Sequence, residues 1–404
     1  MDQDGDTHVE QPETTPRHRK RLLSRRTALA GLAAAGAGAM LDGNAITAMA
    51  GTLAAPAEQA RQGAGPTMNV VLSHEQFPVP SLVRFGAEAQ RAGFDGIWTS
   101  DHFQPWQPNE GHSGLAWVTL AALGQHASTL RMGTGVTCPI FRYRPAVVAE
   151  AFASLSLLSP GRIFLGVGAG ERLNEAAAGG GWGLYRERAA RLVEAIHIMR
   201  ALWTGRHVNY QGQFWQVNAR LYDPPAARIP IYVAAGGPKS ARLAGMYGDG
   251  LIADPMQLRT NPAYKAAFTA GAVAAGKNPN TMPILLEHFV SVSDMQTALA
   301  DAELWRFTAK AWKPGFFNNE SPAAIQRNAE QQIPRETVAN SWVVSTDPAA
   351  HLLGIQQLVN LGVTDIFVHS AQQDQIGVIN FFGQQVLPQV RSGAIQGVRA
   401  VNRG

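Results

Sequence analysis

The chain has 404 residues, 46% hydrophobic and 16% charged, with a formal net charge of only +4. That balance belongs to a globular protein with a sizeable core, and it excludes both a disordered chain and one with a basic nucleic-acid stripe. A single cysteine, Cys138, excludes an internal disulfide framework and a cysteine-rich metal site.

The N-terminus reads as a targeting segment rather than as part of the fold. A basic cluster is followed by a short Ala/Gly-rich apolar stretch from Ala28 to Met40, too short to span a bilayer. Ser24-Arg25-Arg26-Thr27 is similar to a twin-arginine export signal, and Ala48-Met49-Ala50 offers a small-residue cleavage site. Residues 1–50 are therefore expected to be a signal region directing the protein to the cell envelope or periplasm. Residues 51–66 are expected to be a linker, and 67–404 the folded domain.

From Met68 onward, short apolar runs alternate with segments whose apolar residues recur every three or four positions. Strands are expected at 68–73, 95–100, 130–136, 162–168, 230–235, 249–254, 284–292 and 364–370. Near-continuously apolar strands separated by helices imply a parallel sheet covered on its outside. Eight such units are the number that closes a (β/α)8 TIM barrel, an α/β fold; an open doubly wound sheet is the alternative. The stretch 294–345, between the seventh and eighth strands, is too long for a simple crossover. It is expected to be an inserted, mostly helical lid.

In such a barrel, chemistry sits on the loops that leave the strands at their C-terminal ends. "HEQF" follows the first strand and supplies Glu75. "SDHFQPW" follows the second and brings Asp101, His102 and Trp106. "GVTCP" ends the third with Gly135-Val136. "GAGERLNE" follows the fourth with Gly168, Ala169, Gly170, Glu171 and Asn174. "AAGGP" ends the fifth with Ala234, Ala235, Gly236 and Gly237, where backbone amides opening a helix suit an anion. "GVGAGE" is a poor dinucleotide fingerprint, because Glu171 stands where the third glycine should be. No Walker, H-E-x-x-H or G-x-S-x-G motif occurs, so an NTPase, a zincin and an α/β-hydrolase are disfavoured, and no metal is expected.

"SDHFQPW", "FRYRPAVVAEAFASL", "RIFLGVGAGERLNE", "YVAAGGPKSARLAG" and "GDGLI" together resemble the luciferase-like superfamily, and within it the coenzyme F420-dependent dehydrogenase branch. The likeness runs in order over about residues 68–390. It implies a TIM barrel, a homodimer, and F420, a deazaflavin hydride carrier, as cofactor. It implies that His102 is the base for the substrate hydroxyl, with Trp106 beside the reacting carbon. Glu171 would lie against the deazaflavin and Glu75 would support His102. Asp101, a cis-linked Gly135-Val136, Gly168, Ala169, Gly170, Asn174 and Ala234 to Gly237 would hold the cofactor.

The sugar-phosphate members of that branch hold the substrate with basic residues. Ser341 and Gln257 stand here where an Arg and a Lys are expected, and the lid offers Trp305, Phe307, Trp312, Phe316 and Phe317. A dianion without cationic partners loses most of its binding energy. An apolar secondary alcohol is therefore expected, and the branch's exported members imply oxidation of a hydroxymycolate to a ketomycolate, with peripheral association with the envelope. The alternatives are an FMN-dependent monooxygenase on the same barrel, an F420-dependent dehydrogenase of a sugar or other small alcohol, and a non-enzymatic exported binding protein.

Overall fold

The computed structural model describes residues 65–311, 313–397 and 401. The expected twin-arginine segment, its expected cleavage site and nearly all of the expected linker lie outside the described residues, as does Trp312.

All eight expected strands form: β1 (Thr67–Leu72), β2 (Gly96–Thr99), β3 (Arg131–Thr134), β4 (Ile163–Val167), β5 (Ile231–Ala235), β6 (Gly250–Ala253), β7 (Ile284–Ser291) and β8 (Asp365–Ser370). Every neighbouring pair is parallel, and β7 pairs with both β6 and β8. That double pairing closes the sheet, so the open doubly wound alternative is excluded. Closure leaves the eight strands no free edge.

Alternate residues point inward, and their bulk makes the interior a packed core rather than a pore. Val71, Trp98, Phe164, Tyr232, Leu285 and Phe367 form one cluster inside the barrel. Trp98 stacks on Phe367 with ring centroids 3.8 Å apart. The next inward layer, toward the C-terminal ends, is very uneven. Gly135 and Gly166 carry no side chain there, whereas Ser73, Ser100, Glu287 and His369 are polar.

The helices follow ordinary start and stop rules. Helix α1 (Val79–Ala92) opens with Pro in its first turn and buries Leu82, Phe85 and Ala89. It stops at Gly93, whose φ of 90° is the left-handed conformation that a glycine adopts without steric cost.

The insertion between β7 and β8 is mostly helical as expected. It comprises Met295–Asp301, Arg306–Lys310, Pro314–Phe317, Pro322–Gln332 and Arg335–Ala339. Two features were not expected from the sequence. An antiparallel hairpin pairs Val208–Gln211 with Gln216–Ala219, and the end of the lid adds the two-residue strand Val343–Val344 to β7.

Candidate active site

The β1 and β2 loops meet around a buried carboxylate. Glu75 Oε2 accepts hydrogen bonds from Ser73 Oγ at 2.8 Å and Ser100 Oγ at 2.5 Å. Its other oxygen, Oε1, stands 3.5 Å from His102 Nε2. Burial pushes the Glu75 carboxyl up, but the facing His102 and the two serine hydroxyls outweigh it and hold the group below the usual carboxylate range. Glu75 is thus an anion beneath the imidazole. Neighbouring His74 is a structural contrast: Nδ1 meets Ser100 O at 2.8 Å and Nε2 meets Thr119 Oγ1 at 2.7 Å.

Asn174 fixes the other side of His102. Its Oδ1 accepts the Phe103 backbone N–H at 2.8 Å, which turns its amide nitrogen toward the site. That nitrogen lies 3.3 Å from His102 Nδ1 and donates to Glu171 Oε2 at 3.3 Å. Asn174 therefore joins the two residues expected to handle protons. Glu171 itself occupies the N-cap position of the short turn Arg172–Glu175 without a side-chain capping bond.

Asp101, expected to help hold the cofactor, is itself fixed by side chains of the β3 loop. Oδ2 accepts from Thr137 at 2.6 Å, and Oδ1 accepts from Arg142 at 2.9 Å and Tyr143 at 3.1 Å. The side chain is 0% exposed. It ties the β2 loop to the β3 loop and so sets where the adjacent His102 stands. Arg142 is held in its charged state by Asp101 against the cost of burial.

Opposite the proton-handling side lies a bare floor. The Gly135–Val136 peptide bond is cis, as the resemblance implied. A Cβ on Gly168 would lie 2.8 Å from Val136 Cγ2 and 3.9 Å from the Ala234 Cβ, so a side chain there would fill the hollow between them. Gly237 caps the helix Pro238–Tyr247, and a Cβ placed on it would meet nothing within 4 Å. The carbonyls of Ala169 and Gly170 turn away and accept from Arg188 at 2.8 and 3.1 Å.

The lid supplies the roof. Trp106 is buried and stacks on Phe307 at 4.7 Å, with the His102 ring 5.3 Å away. Trp305, Phe307 and Phe316 join it in one cluster with Trp342. Phe317 instead packs edge-on against Trp182 at the outer margin. Ser341 Oγ donates to Val338 O at 2.6 Å, and the Gln257 carbonyl accepts from Asn261 at 2.8 Å, so both are engaged within their own turns.

Several residues of this region escape a reading of the sequence alone. Ser73 and Ser100 sit at the edges of the "HEQF" and "SDHFQPW" motifs and look there like ordinary strand ends. Glu175, five residues past Gly170, is buried and accepts the backbone N–H groups of Phe141 and Arg142 at 3.2 and 2.8 Å. Burial raises its carboxyl to about 7. Glu287 and His369 break otherwise apolar strands at inward-facing register, a signal that strand alternation carries.

The family model described as luciferase-like monooxygenase matches residues 29–365. The chain belongs to the luciferase-like family. Within this luciferase-like family, it is 47% identical over 372 residues to the F420-dependent hydroxymycolic acid dehydrogenase of Mycobacterium tuberculosis (strain ATCC 25618 / H37Rv), covering 91% of this chain and 99% of that one. It is 38% identical to the F420-dependent glucose-6-phosphate dehydrogenase of Mycolicibacterium gilvum (strain PYR-GCK), covering 79% and 96% respectively. Among solved structures, an F420-dependent secondary alcohol dehydrogenase in complex with an F420-acetone adduct superposes with a TM-score of 0.75 at 31% identity, covering 81% of this chain and 99% of the other.

Proposed function

We propose that this luciferase-like protein is a coenzyme F420-dependent alcohol dehydrogenase that oxidises an apolar secondary alcohol of the hydroxymycolate class to the ketone. One observation carries the reading: His102 is held between Glu75 and Asn174, facing a glycine floor and roofed by Trp106. The relatives named F420-dependent dehydrogenases support the same assignment. The floor suits a flat ring, because Gly168 leaves open the hollow between Val136 and Ala234. Residues 168–170 and 234–237 would hold the cofactor. When bound, F420 supplies a two-electron hydride acceptor.

The chain's own residues manage the proton. With the Asn174 amide donating to Nδ1, the neutral His102 ring carries its proton on Nε2, toward the Glu75 carboxylate. Nδ1 is then the basic atom. A substrate hydroxyl replaces the Asn174 amide at Nδ1 and gives up its proton as hydride leaves its carbon. The imidazolium so formed keeps Nε2–H against Glu75, an arrangement in which a buried carboxylate orients and stabilises the ring. Trp106 and the lid exclude water from the developing carbonyl.

Ser341 and Gln257 provide no cation for a phosphate, and the stacked lid favours an apolar substrate over a sugar phosphate. Export through the twin-arginine pathway and peripheral association with the envelope belong to the same reading, supported by Ser24-Arg25-Arg26-Thr27. Homodimer formation is supported by exposed Val118, Val147, Leu157 and Leu158 on the packed helices Ala116–His126 and Pro145–Leu158.

The test is titration with F420 and with FMN, followed by turnover of a secondary alkanol. F420 should bind with clear preference and be reduced as ketone accumulates. Tight FMN binding with no F420 fluorescence quenching would overturn the assignment in favour of the monooxygenase reading.

A further inference from the structure

Glu287 on β7 and His369 on β8 face each other across paired strands near the lid. Glu287 Oε1 accepts from His369 Nδ1 at 2.5 Å. The register that points Leu285 and Phe367 into the barrel also points Glu287 and His369 inward, one layer nearer the C-terminal mouth. The His369 side chain is 3% exposed, while Glu287 is 37% exposed. The carboxylate fixes the imidazole by one nitrogen, and the other, Nε2, is buried without a hydrogen-bond partner. Buried polar atoms are nearly always paired, so such an atom needs an explanation.

The surroundings supply one. Phe289 lies over the His369 ring at 4.3 Å, and Trp305 of the lid meets it edge-on at 4.6 Å. Trp305 is next to Phe307, which stacks on Trp106, which faces His102. One continuous aromatic wall thus has His102 at one end and His369 at the other. His288 Nε2 and His351 Nδ1 are also unpartnered, but His288 has the outward register and packs beneath the helix Pro348–Asn360, against Gly354. Of these three histidine nitrogens, that of His369 is the one placed by strand register on the inward side of the barrel.

We propose that the Glu287–His369 pair is a specificity station that binds a second hydroxyl of the substrate, at a distance from the reacting alcohol set by the aromatic wall. A hydroxyl suits this site because it satisfies Nε2 in either protonation state, donating to the bare nitrogen or accepting from a protonated one. Glu287 acts through His369 by fixing its ring. Trp305 belongs to the lid, so displacement of its edge on substrate entry uncovers Nε2. The proposal rests on the alcohol dehydrogenase reading and deepens it: the preferred substrate is a long-chain alcohol with two oxygen functions rather than a simple alkanol.

The experiment compares F420-coupled oxidation of a simple secondary alkanol with that of diols of the same chain length, whose second hydroxyl lies at increasing distance. The wild-type enzyme should favour one diol by about tenfold in kcat/KM, the worth of one well-made hydrogen bond. His369→Phe should abolish that preference while leaving F420 affinity and kcat/KM for the simple alkanol near wild type. Glu287→Gln, partly open and nearly isosteric, should weaken the same preference and covers the case in which His369→Phe fails to fold. A wild type indifferent to every diol, or variants that lose both substrate types equally, would overturn the station. Failure of the wild type to oxidise any alcohol would instead overturn the dehydrogenase reading on which it rests.

Discussion

At the scale of single residues, neighbours decide what His102 and Glu175 can do. His102 has Glu75 on one nitrogen and Asn174 on the other, so its replacement removes the proton acceptor without disturbing the glycine floor. His102→Ala should retain F420 affinity, while kcat for alcohol oxidation should fall by about 10²–10⁴-fold, the usual contribution of a general base. Single-turnover kinetics with saturating cofactor would check it. Glu175 makes a pH prediction. Its carboxyl is raised from 4.5 to about 7, chiefly by burial, so the native state holds a proton that the unfolded chain releases. The corresponding stability is fully present below pH 4.5 and is lost as the pH rises through about 7. Between those two values the decline is about 1.4 kcal/mol for each pH unit. Glu175→Gln keeps an acceptor for the Phe141 and Arg142 amides but cannot ionise. Denaturant melts across that range should therefore show a shallower decline for the variant than for wild type.

At the scale of elements, rings and hydrogen bonds together join the lid to the barrel. Trp106 leaves the β2 loop and inserts beside Leu173, Trp305 and Phe307, so the catalytic loop and the insertion share one cluster. Gln107 strengthens the junction by donating to the carbonyls of Glu303 and Leu304 at 3.0 and 3.1 Å. Phe307→Ala removes the ring stacked on Trp106, and truncation of a buried Phe typically costs about 3–5 kcal/mol. The cost should fall on the lid, because Phe307 lies outside the main barrel core. Amide exchange is expected to quicken across the lid helices and not in the strands, and KM for an apolar alcohol should rise several-fold with F420 affinity unchanged. Equal acceleration of exchange in β1 to β8 would show that lid and barrel unfold as one unit.

At the scale of the whole molecule, the described barrel provides the site, while the proposed destination depends on a segment outside it. On the proposed twin-arginine reading, Arg25 and Arg26 would be read by a receptor rather than as bulk charge, so replacing both with Lys would keep the charge and remove the signal. The double variant should accumulate, folded and able to bind F420, in the cytoplasm. Fractionation with an activity assay checks this, and envelope levels equal to wild type would dispose of the twin-arginine assignment. Among the described residues, no helix is long and apolar enough to cross a membrane.

The sequence by itself determined the eight barrel strands, the inserted lid and the loops that carry the site. These follow from local patterns: strand and helix periods, glycine at strand ends, and polar residues placed just after apolar runs. His102, Glu75, Asn174 and Trp106 could be singled out as candidates because they stand in such loops. The hairpin Val208–Gln211 with Gln216–Ala219 was not, since its polar strands show little burial pattern. Nor could local pattern show that Asp101 is tied to Thr137, Arg142 and Tyr143, because these partners come from the next βα unit. The tertiary structure alone decided that Asn174 bridges His102 and Glu171, that Trp106 stacks on the lid, and that Glu287 and His369 share one chamber wall. Each depends on side chains far apart in sequence meeting across strand register and barrel closure, and no short window of residues contains that information.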